Sequence, residues 1–428
     1  MSSTTRTTPG EEIVLPEVGP PADRKAPVLF ALLTLGLALL VGLATREGDT
    51  TFRLARGTDF VELPDVTVPA NLTAWLLVLV CAALTAVSVA LTVRRRSTPL
   101  GLVVLFAVVW LLGFLTWAGA GATLPMVGLL AGSVALAVPL VFGALGGVLG
   151  ERAGVVNIAI DGQLLAGAFA AALVASWLGS TWAGLGASMV AGLLVAAVLG
   201  LFAINYYVDQ VIVGVVLNVL VVGLTGFMFT QVLAPNAASL NTPQHFSVVA
   251  IPLLGDIPLL GPILFRQTPI VYLLYVMVAV VTFALYRTRW GLRVRAVGEH
   301  PKAADTVGIK VNRTRWRTIL IAGAIAGMGG AFYTLVSVPQ FNREMTGGAG
   351  YIALAAVIFG RWDPIRATLA ALLFGFASNL QGVLSVIGSP VPSQFMLMLP
   401  YLVTIFAVAG LVGRTRSPAA SGEPYRTG

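Results

Sequence analysis

Apolar runs of about twenty residues recur along almost the whole chain, each long enough to cross a hydrocarbon core of roughly 30 Å as a helix. Such a chain must satisfy every backbone N–H and C=O internally, which leaves helices or a closed barrel. Barrel strands alternate apolar and polar residues over about ten positions, whereas these runs are continuously apolar. The expected fold class is an all-α polytopic membrane protein, a helical bundle of about 10–12 transmembrane segments with broken or re-entrant helices. Composition agrees: 57% of the 428 residues are hydrophobic and 10% charged. The mean hydropathy of +0.91 excludes a soluble globular class.

The net charge of +8 could suit a nucleic-acid binder. Lys and Arg, however, cluster beside the apolar runs, as the positive-inside rule describes, so no nucleic-acid partner is expected. Arg94, Arg95 and Arg96 close one run, and residues 287–317 carry Arg287, Arg289, Arg293, Arg295, Lys302, Lys310, Arg313, Arg315 and Arg317. With connections on alternate sides, all but five of the 26 basic residues (Arg46, Arg53, Arg56, Arg266 and Arg343) fall on one side. That side is expected to be cytosolic, with both termini there, in a multi-pass plasma-membrane protein. Cys81, alone in an apolar run, can form no internal disulfide, and His245 and His300 lie in different connections, so no metal site is expected.

The spans are read as 27–45, 73–93, 100–118, 125–149, 155–178, 183–204, 211–233, 269–286, 318–336, 367–387 and 394–412. The run at 351–360 is too short to cross alone and reads as a half-helix or re-entrant segment. Residues 46–72 read as a polar loop, and the proline-rich 234–268 as an external loop. This divides the chain into a disordered cytosolic tail over 1–26, N-terminal transmembrane helices over 27–122, a core over 123–412 with the cytosolic loop 287–317, and a cytosolic tail over 413–428.

Three stretches carry chemistry. Residues 143–167, GALGGVLGERAGVVNIAIDGQLLAG, set Glu151, Arg152, Asn157 and Asp161 within otherwise lipid-spanning sequence. Charged groups there are expensive and need a cytosolic exit or a protein-lined polar cavity. Its glycines suit a broken helix, and Asn157 and Asp161, four apart, would share one face once the helix resumes. The same residues would also fit a plain cytosolic turn followed by a helix start. Residues 347–364, GGAGYIALAAVIFGRWDP, repeat the idea: flexible glycines, a short apolar helix, then Arg361, Asp363 and the breaker Pro364. Paired interrupted segments are a sequence pointer to a transport site, although this one also suits a re-entrant packing element. Residues 298–309, GEHPKAADTVGI, read as a short amphipathic helix with Pro301 at its first position, a docking element for a cytosolic partner or, with its flanking arginines, a lipid-headgroup clamp. Asn218, Gln231, Asn379 and Gln381, polar within or at the ends of spans, are expected to make interhelical hydrogen bonds. No GxxxxGK[ST] loop occurs, so the chain has no ATPase motif of its own.

The segments ERAGVVNIAIDGQLLAGAFAA, RAVGEHPKAADTVGIKVNRTR and GYIALAAVIFGRWDP resemble the membrane permeases of ABC importers of the branched-chain amino acid and simple-sugar class, nearest the nucleoside-type branch. The resemblance covers about 123–412. It departs from that branch where Asp161 stands for the commoner Glu and His300 for the commoner Asn, and 1–121 match less well. It implies a permease without enzymatic activity, paired with a second homologous permease, two cytosolic ABC ATPase subunits that hydrolyse ATP, and an external solute-binding lipoprotein, with no cofactor bound directly. Glu299, His300, Pro301, Lys302, Ala303, Ala304, Asp305 and Gly308 would then couple to the ATPases. Asn157, Asp161, Gly154, Gly162, Gly350 and Tyr351 would line or shape the substrate path. The implied solute is small and polar, a nucleoside first, with a sugar or branched-chain amino acid as alternatives. An ion-coupled secondary transporter would need paired intramembrane carboxylates, and the sequence nearly lacks them. An intramembrane enzyme would need a catalytic constellation, and no His-Glu or Ser-His pairing stands at helical spacing.

Overall fold

The computed structural model describes residues 25–55, 63–388, 394–395, 398 and 416–426. The tail expected over 1–26 and the span expected over 394–412 lie almost wholly outside the described residues. Among those described, ten helices are long and apolar enough to cross a membrane. The chain forms two compact units.

The first unit is a three-helix group of α1 (Lys25–Leu43), α2 (Ala70–Val93) and α3 (Leu100–Ala118). Phe30 stacks on Phe106 at 3.9 Å beside buried Cys81. Polar side chains bind the helices where lipid offers no partner: Thr34 to Thr85 at 3.2 Å, and Trp110 Nε1 donating to the Leu33 carbonyl at 2.9 Å.

Residues 46–72, read as a polar loop, instead contain β1 (Asp49–Arg53), where the second unit begins, and β2 (Val66–Pro69). β1 pairs in parallel with β3 (Thr123–Pro125), setting Phe52 opposite Leu124, and the sheet order is β2-β1-β3. α4 (Met126–Arg152), α5 (Ile160–Leu178), α6 (Thr181–Gly200) and α7 (Gln210–Met228) follow. Asp209 caps α7, accepting from the N–H groups of Val211 and Ile212, while Ser180 caps α6, so both starts are set by local chemistry.

The connection to the next long helix holds α8 (Ala237–Leu240), β4 (Val249–Ala250) and β5 (Arg266–Gln267). Between the last two, IPLLGDIPLLGP repeats IPLLG at a spacing of six residues, and the two copies fold alike. Leu253 and Leu259 both hold a left-handed φ, and Leu254 and Leu260 donate to the carbonyls of Pro252 and Pro258 at 2.8 and 2.7 Å.

α9 (Pro269–Arg287) leads into α10 (Arg289–Glu299), α11 (Pro301–Thr306) and α12 (Val311–Phe332); α13 (Ala349–Phe359) and α14 (Pro364–Val386) complete the unit. The segment 298–309, read as one short helix, divides at His300, and the preceding basic residues form a helix of their own. α12 starts earlier than expected, which puts Arg313, Arg315 and Arg317 on the helix.

α12 is the hub of the bundle. Ser188, Gly192 and Ala196 form a small-residue stripe on α6 against Gly323 and Gly327 on α12, and backbones approach where side chains are absent. A Cβ on Gly327 would lie 2.2 Å from the Ser188 carbonyl oxygen, and one on Gly330 2.0 Å from that of Leu164 on α5. Gly327→Ala should therefore destabilise the protein by about 3 kcal/mol, the upper end of the usual overpacking cost, since backbone cannot yield as a side chain does. Gly223→Ala on α7 meets open space and should be neutral or stabilising by up to about 1 kcal/mol. Thermal unfolding of the purified variants separates the two.

Candidate functional site

After Arg152 the chain leaves the helix and re-enters the bundle as a non-helical stretch, 153–159, before α5 begins at Ile160. Gly154 makes the turn with φ +84, a conformation costly for other residues. The interruption expected in 143–167 is thus present, but Asn157 precedes the helix and does not share a helical face with Asp161. Its side chain closes instead on Gln163: Asn157 Nδ2 donates to Gln163 Oε1 at 3.0 Å, and Gln163 Nε2 donates back to Asn157 Oδ1 at 3.2 Å. Both residues are fully buried, so the mutual pair meets the requirement that polar groups taken from water find partners.

The start of α5 lacks a local cap. Asn218, in the middle of α7, supplies one from another helix: its Oδ1 accepts from the Gly162 N–H at 2.8 Å, and its Nδ2 donates to the Ile158 carbonyl at 2.9 Å and to the Tyr351 hydroxyl at 3.0 Å. Asp161, in the first turn of α5, faces the start of α13. Its Oδ1 accepts from the Gly350 N–H at 2.9 Å and its Oδ2 from the Thr346 hydroxyl at 3.3 Å. One carboxylate therefore lies against the N-termini of two helices, where unpaired N–H groups and the helix dipole favour negative charge.

Only glycine fits at 350, because a Cβ there would sit 2.2 Å from the Asp161 backbone nitrogen. Tyr351, next in the chain, is 47% exposed and presents its ring at the edge of this junction. Asp161, Gly162, Gly350 and Tyr351 thus come together, with Asn157 on the adjoining amide pair. Gly154 stands apart, against Arg315. Thr346, Gln163 and Asn218 complete the cluster. Asn218 was legible only as a polar residue in an apolar run, while Thr346 and Gln163 gave no signal of their own.

A second cluster forms where α4 ends, on the face carrying α10 and α11, the basic face. α10 buries Gly291, Val294, Val297 and Gly298, and a Cβ on Gly298 would lie 2.2 Å from the Arg152 carbonyl oxygen. Arg152 Nε donates to the Trp362 carbonyl at 2.9 Å, and its Nη1 lies 4.0 Å from Glu299 Oε1. Trp362 Nε1 donates to the buried Glu151 carboxylate. Asp363 caps α14 through the Arg366 N–H and accepts from Tyr286 on α9 at 2.8 Å. The ends of α4, α9, α10 and α13 and the start of α14 are thereby fastened together.

α11 projects from this cluster. Ala304 is buried, whereas Lys302, Ala303, Asp305, Thr306, Val307 and Gly308 are exposed, Val307 by 75%. His300 starts α11 without a side-chain cap, and Pro301 occupies the first helical position, where its missing N–H costs nothing.

A bundle in which α5 and α13 begin against each other after interruptions of the chain has the build of a transport permease, and residues 129–408 match the family model described as branched-chain amino acid transport system / permease component. The chain belongs to this family and is a multi-pass membrane protein. α1–α3 lie outside the matched residues. The chain is 41% identical over 305 residues to the guanosine ABC transporter permease protein NupQ of Bacillus subtilis, covering 68% of this chain and 94% of that one. It is 36% identical to the nucleoside ABC transporter permease protein NupC of Lactococcus lactis (67% and 93% covered). It is 35% identical to the putative glucose ABC transporter permease protein TsgC13 of Haloferax volcanii (68% and 93%). The first two organisms each hold a second, 23% identical permease, NupP and NupB. No solved structure matches.

Asp161→Ala leaves the Gly350 N–H and the Thr346 hydroxyl without their acceptor and should cost about 1–3 kcal/mol. Asp161→Asn keeps an acceptor oxygen and should lose less. The order of their melting temperatures tests the bridge.

Proposed function

We propose that this chain is the membrane permease subunit of an ATP-driven importer of nucleosides, with the basic face in the cytosol. The observation that carries the reading is the junction of α5 and α13, where the exposed ring of Tyr351 stands beside Asn218. A flat ring suits a nucleobase, and Asn218, by donating to the Tyr351 hydroxyl, fixes where that ring stands. The names of the 41% and 36% identical relatives support the same solute class. An amino acid would bring a carboxylate and an ammonium group, and among the described residues the only charge at the junction is Asp161, already bonded to Gly350 and Thr346. A sugar is the second reading, favoured by the name of the archaeal relative and by the same ring.

In this reading Asp161, Gly162, Gly350, Tyr351, Asn157 and Asn218 shape the solute path, with Gly154 as the turn leading into it. The exposed side of α11, from Lys302 to Gly308, receives the ATPase. Two partner subunits hydrolyse ATP, because this chain carries no phosphate-binding loop of the GxxxxGK[ST] type, and it acts as transporter rather than enzyme. A second permease completes the membrane part, as the paired relatives of two bacteria suggest. An external solute-binding lipoprotein delivers the solute.

Vesicles holding the complete transporter should take up labelled guanosine when supplied with ATP, and neither labelled glucose nor leucine. Uptake of glucose or leucine without guanosine would overturn the solute assignment. Tyr351→Ala should reduce guanosine uptake by about 5- to 150-fold, the value of one base–aromatic stack. Gly308→Trp places a bulky ring on the docking face at a left-handed φ of +86; ATP hydrolysis should then continue while uptake falls, and normal uptake would remove α11 from the docking role.

A further inference from the structure

Residues 416–426, expected to be a plain tail, lie across the basic face as an ordered strap. Ala420 N–H donates to the Gly298 carbonyl at 2.9 Å, at the end of α10, and Ala419 N–H to Glu299 Oε2 at 3.3 Å. Ala420 is 3% exposed and Tyr425 8%, the latter packed with Val297, Ala304 and Val311 from α10, α11 and the start of α12. The Tyr425 hydroxyl donates to Asp305 Oδ2 at 2.7 Å. Among the described residues, this is the bond through which a side chain of α11 reaches beyond α11 itself. It also pushes the Tyr425 phenol above its ordinary pKa, so the hydroxyl stays a donor.

The middle of the strap is held by Arg315 of α12, 1% exposed, whose Nη1 donates to the Glu423 carbonyl at 2.8 Å and Nη2 to that of Ala420 at 3.5 Å. A buried guanidinium needs such acceptors, since leaving it unpaired is costly. The strap's remaining contacts reach the interruption and the turn after α6. Gly422 lies against Val156, the Ala420 carbonyl oxygen against Gly154, and the Arg426 guanidinium stands 5.2 Å from the centre of the Tyr207 ring.

We propose that the strap 416–426 is a transmission element of transport: it carries displacement of α11 through Asp305–Tyr425 and Arg315–Glu423 to α12 and to the interruption at 153–159. Tyr425 and Arg315 are positioning residues; neither lies at the α5–α13 junction. The inference rests on the reading of α11 as the ATPase docking helix. Without the strap, α11 would keep its exposed face and its backbone hydrogen bonds but lose the side-chain bond that joins it to Arg315 and the interruption through the strap. ATP hydrolysis would then be poorly converted into solute movement.

The test uses the complete transporter in proteoliposomes, with Tyr425→Phe, which keeps the ring and loses the bond, Tyr425→Ala, and a chain ending after Ser417. Three quantities are read: retention of the ATPase subunits on purification, the solute KM, and ATP hydrolysed per guanosine imported. Retention and KM should be unchanged, while ATP per solute rises about two- to tenfold for Tyr425→Phe, the value of one hydrogen bond, and further for the other two. An unchanged ratio in the shortened chain overturns the proposal, and so does loss of the ATPase subunits from it, which would make the strap a docking surface. Gly308→Trp keeps the two readings apart: if it leaves uptake and ATP per solute unchanged, the docking assignment of α11 fails, whatever the strap variants do.

Discussion

The Asp161 carboxylate, accepting from Gly350 and Thr346, holds the start of α13 against the start of α5. Two helices that begin inside a membrane each leave unpaired N–H groups where water is scarce, and lipid can satisfy none of them. A single acidic side chain serves one start and Asn218 the other, so α5, α7 and α13 depend on one another. Glycine at 350 is the steric condition for this contact, since any side chain there would collide with the backbone of α5. The same arrangement sets polar groups beside an exposed aromatic ring within a bundle that is otherwise apolar. It is on that combination that the proposed solute path rests.

The basic face follows from the same geometry. Because α4 ends at Arg152 and the chain turns back inward, the ends of several helices meet at one level, and Arg152, Glu151, Trp362 and Asp363 tie them. α10 is pressed onto that level at Gly298, and α11 stands out from it. In the coupling proposed above, displacement of α11 crosses this level through the strap's contacts with α12 and the interruption. The small-residue stripe between α6 and α12 gives this path a firm wall, because backbones already in contact cannot slide without separating.

Much of the bundle was legible in the sequence because span ends are decided locally. α3 occupies the residues that hydropathy alone assigns, and Asp209 and Pro269 mark helix starts by capping chemistry and by fixed φ. The interruption could be located because charges in a lipid-spanning run are too costly to stand there without an exit or a polar lining, and the glycines beside them loosen the helix. The position of Asn157 off the helix depends on the left-handed turn at Gly154 and on a partner, Gln163, that spacing does not single out. α10 went unread because half of its buried face is glycine, which in isolation suggests a break and not a contact. The pairing of β1 with β3 and the seating of Tyr425 against Asp305 join residues far apart in the chain, and no local pattern announces them.

In the proposed path, solute passes the junction of α5 and α13, in water-accessible contact with Tyr351. The chain's single cysteine, Cys81, is buried, so a Cys81→Ser background gives a clean reporter when Tyr351→Cys is added. The measurement is the rate at which a charged, water-soluble thiol reagent modifies position 351 in the complete transporter, with and without guanosine. The predicted result is modification that guanosine slows and leucine does not. A cysteine at 351 that the reagent never reaches, or reaches at the same rate whatever solute is present, would contradict it.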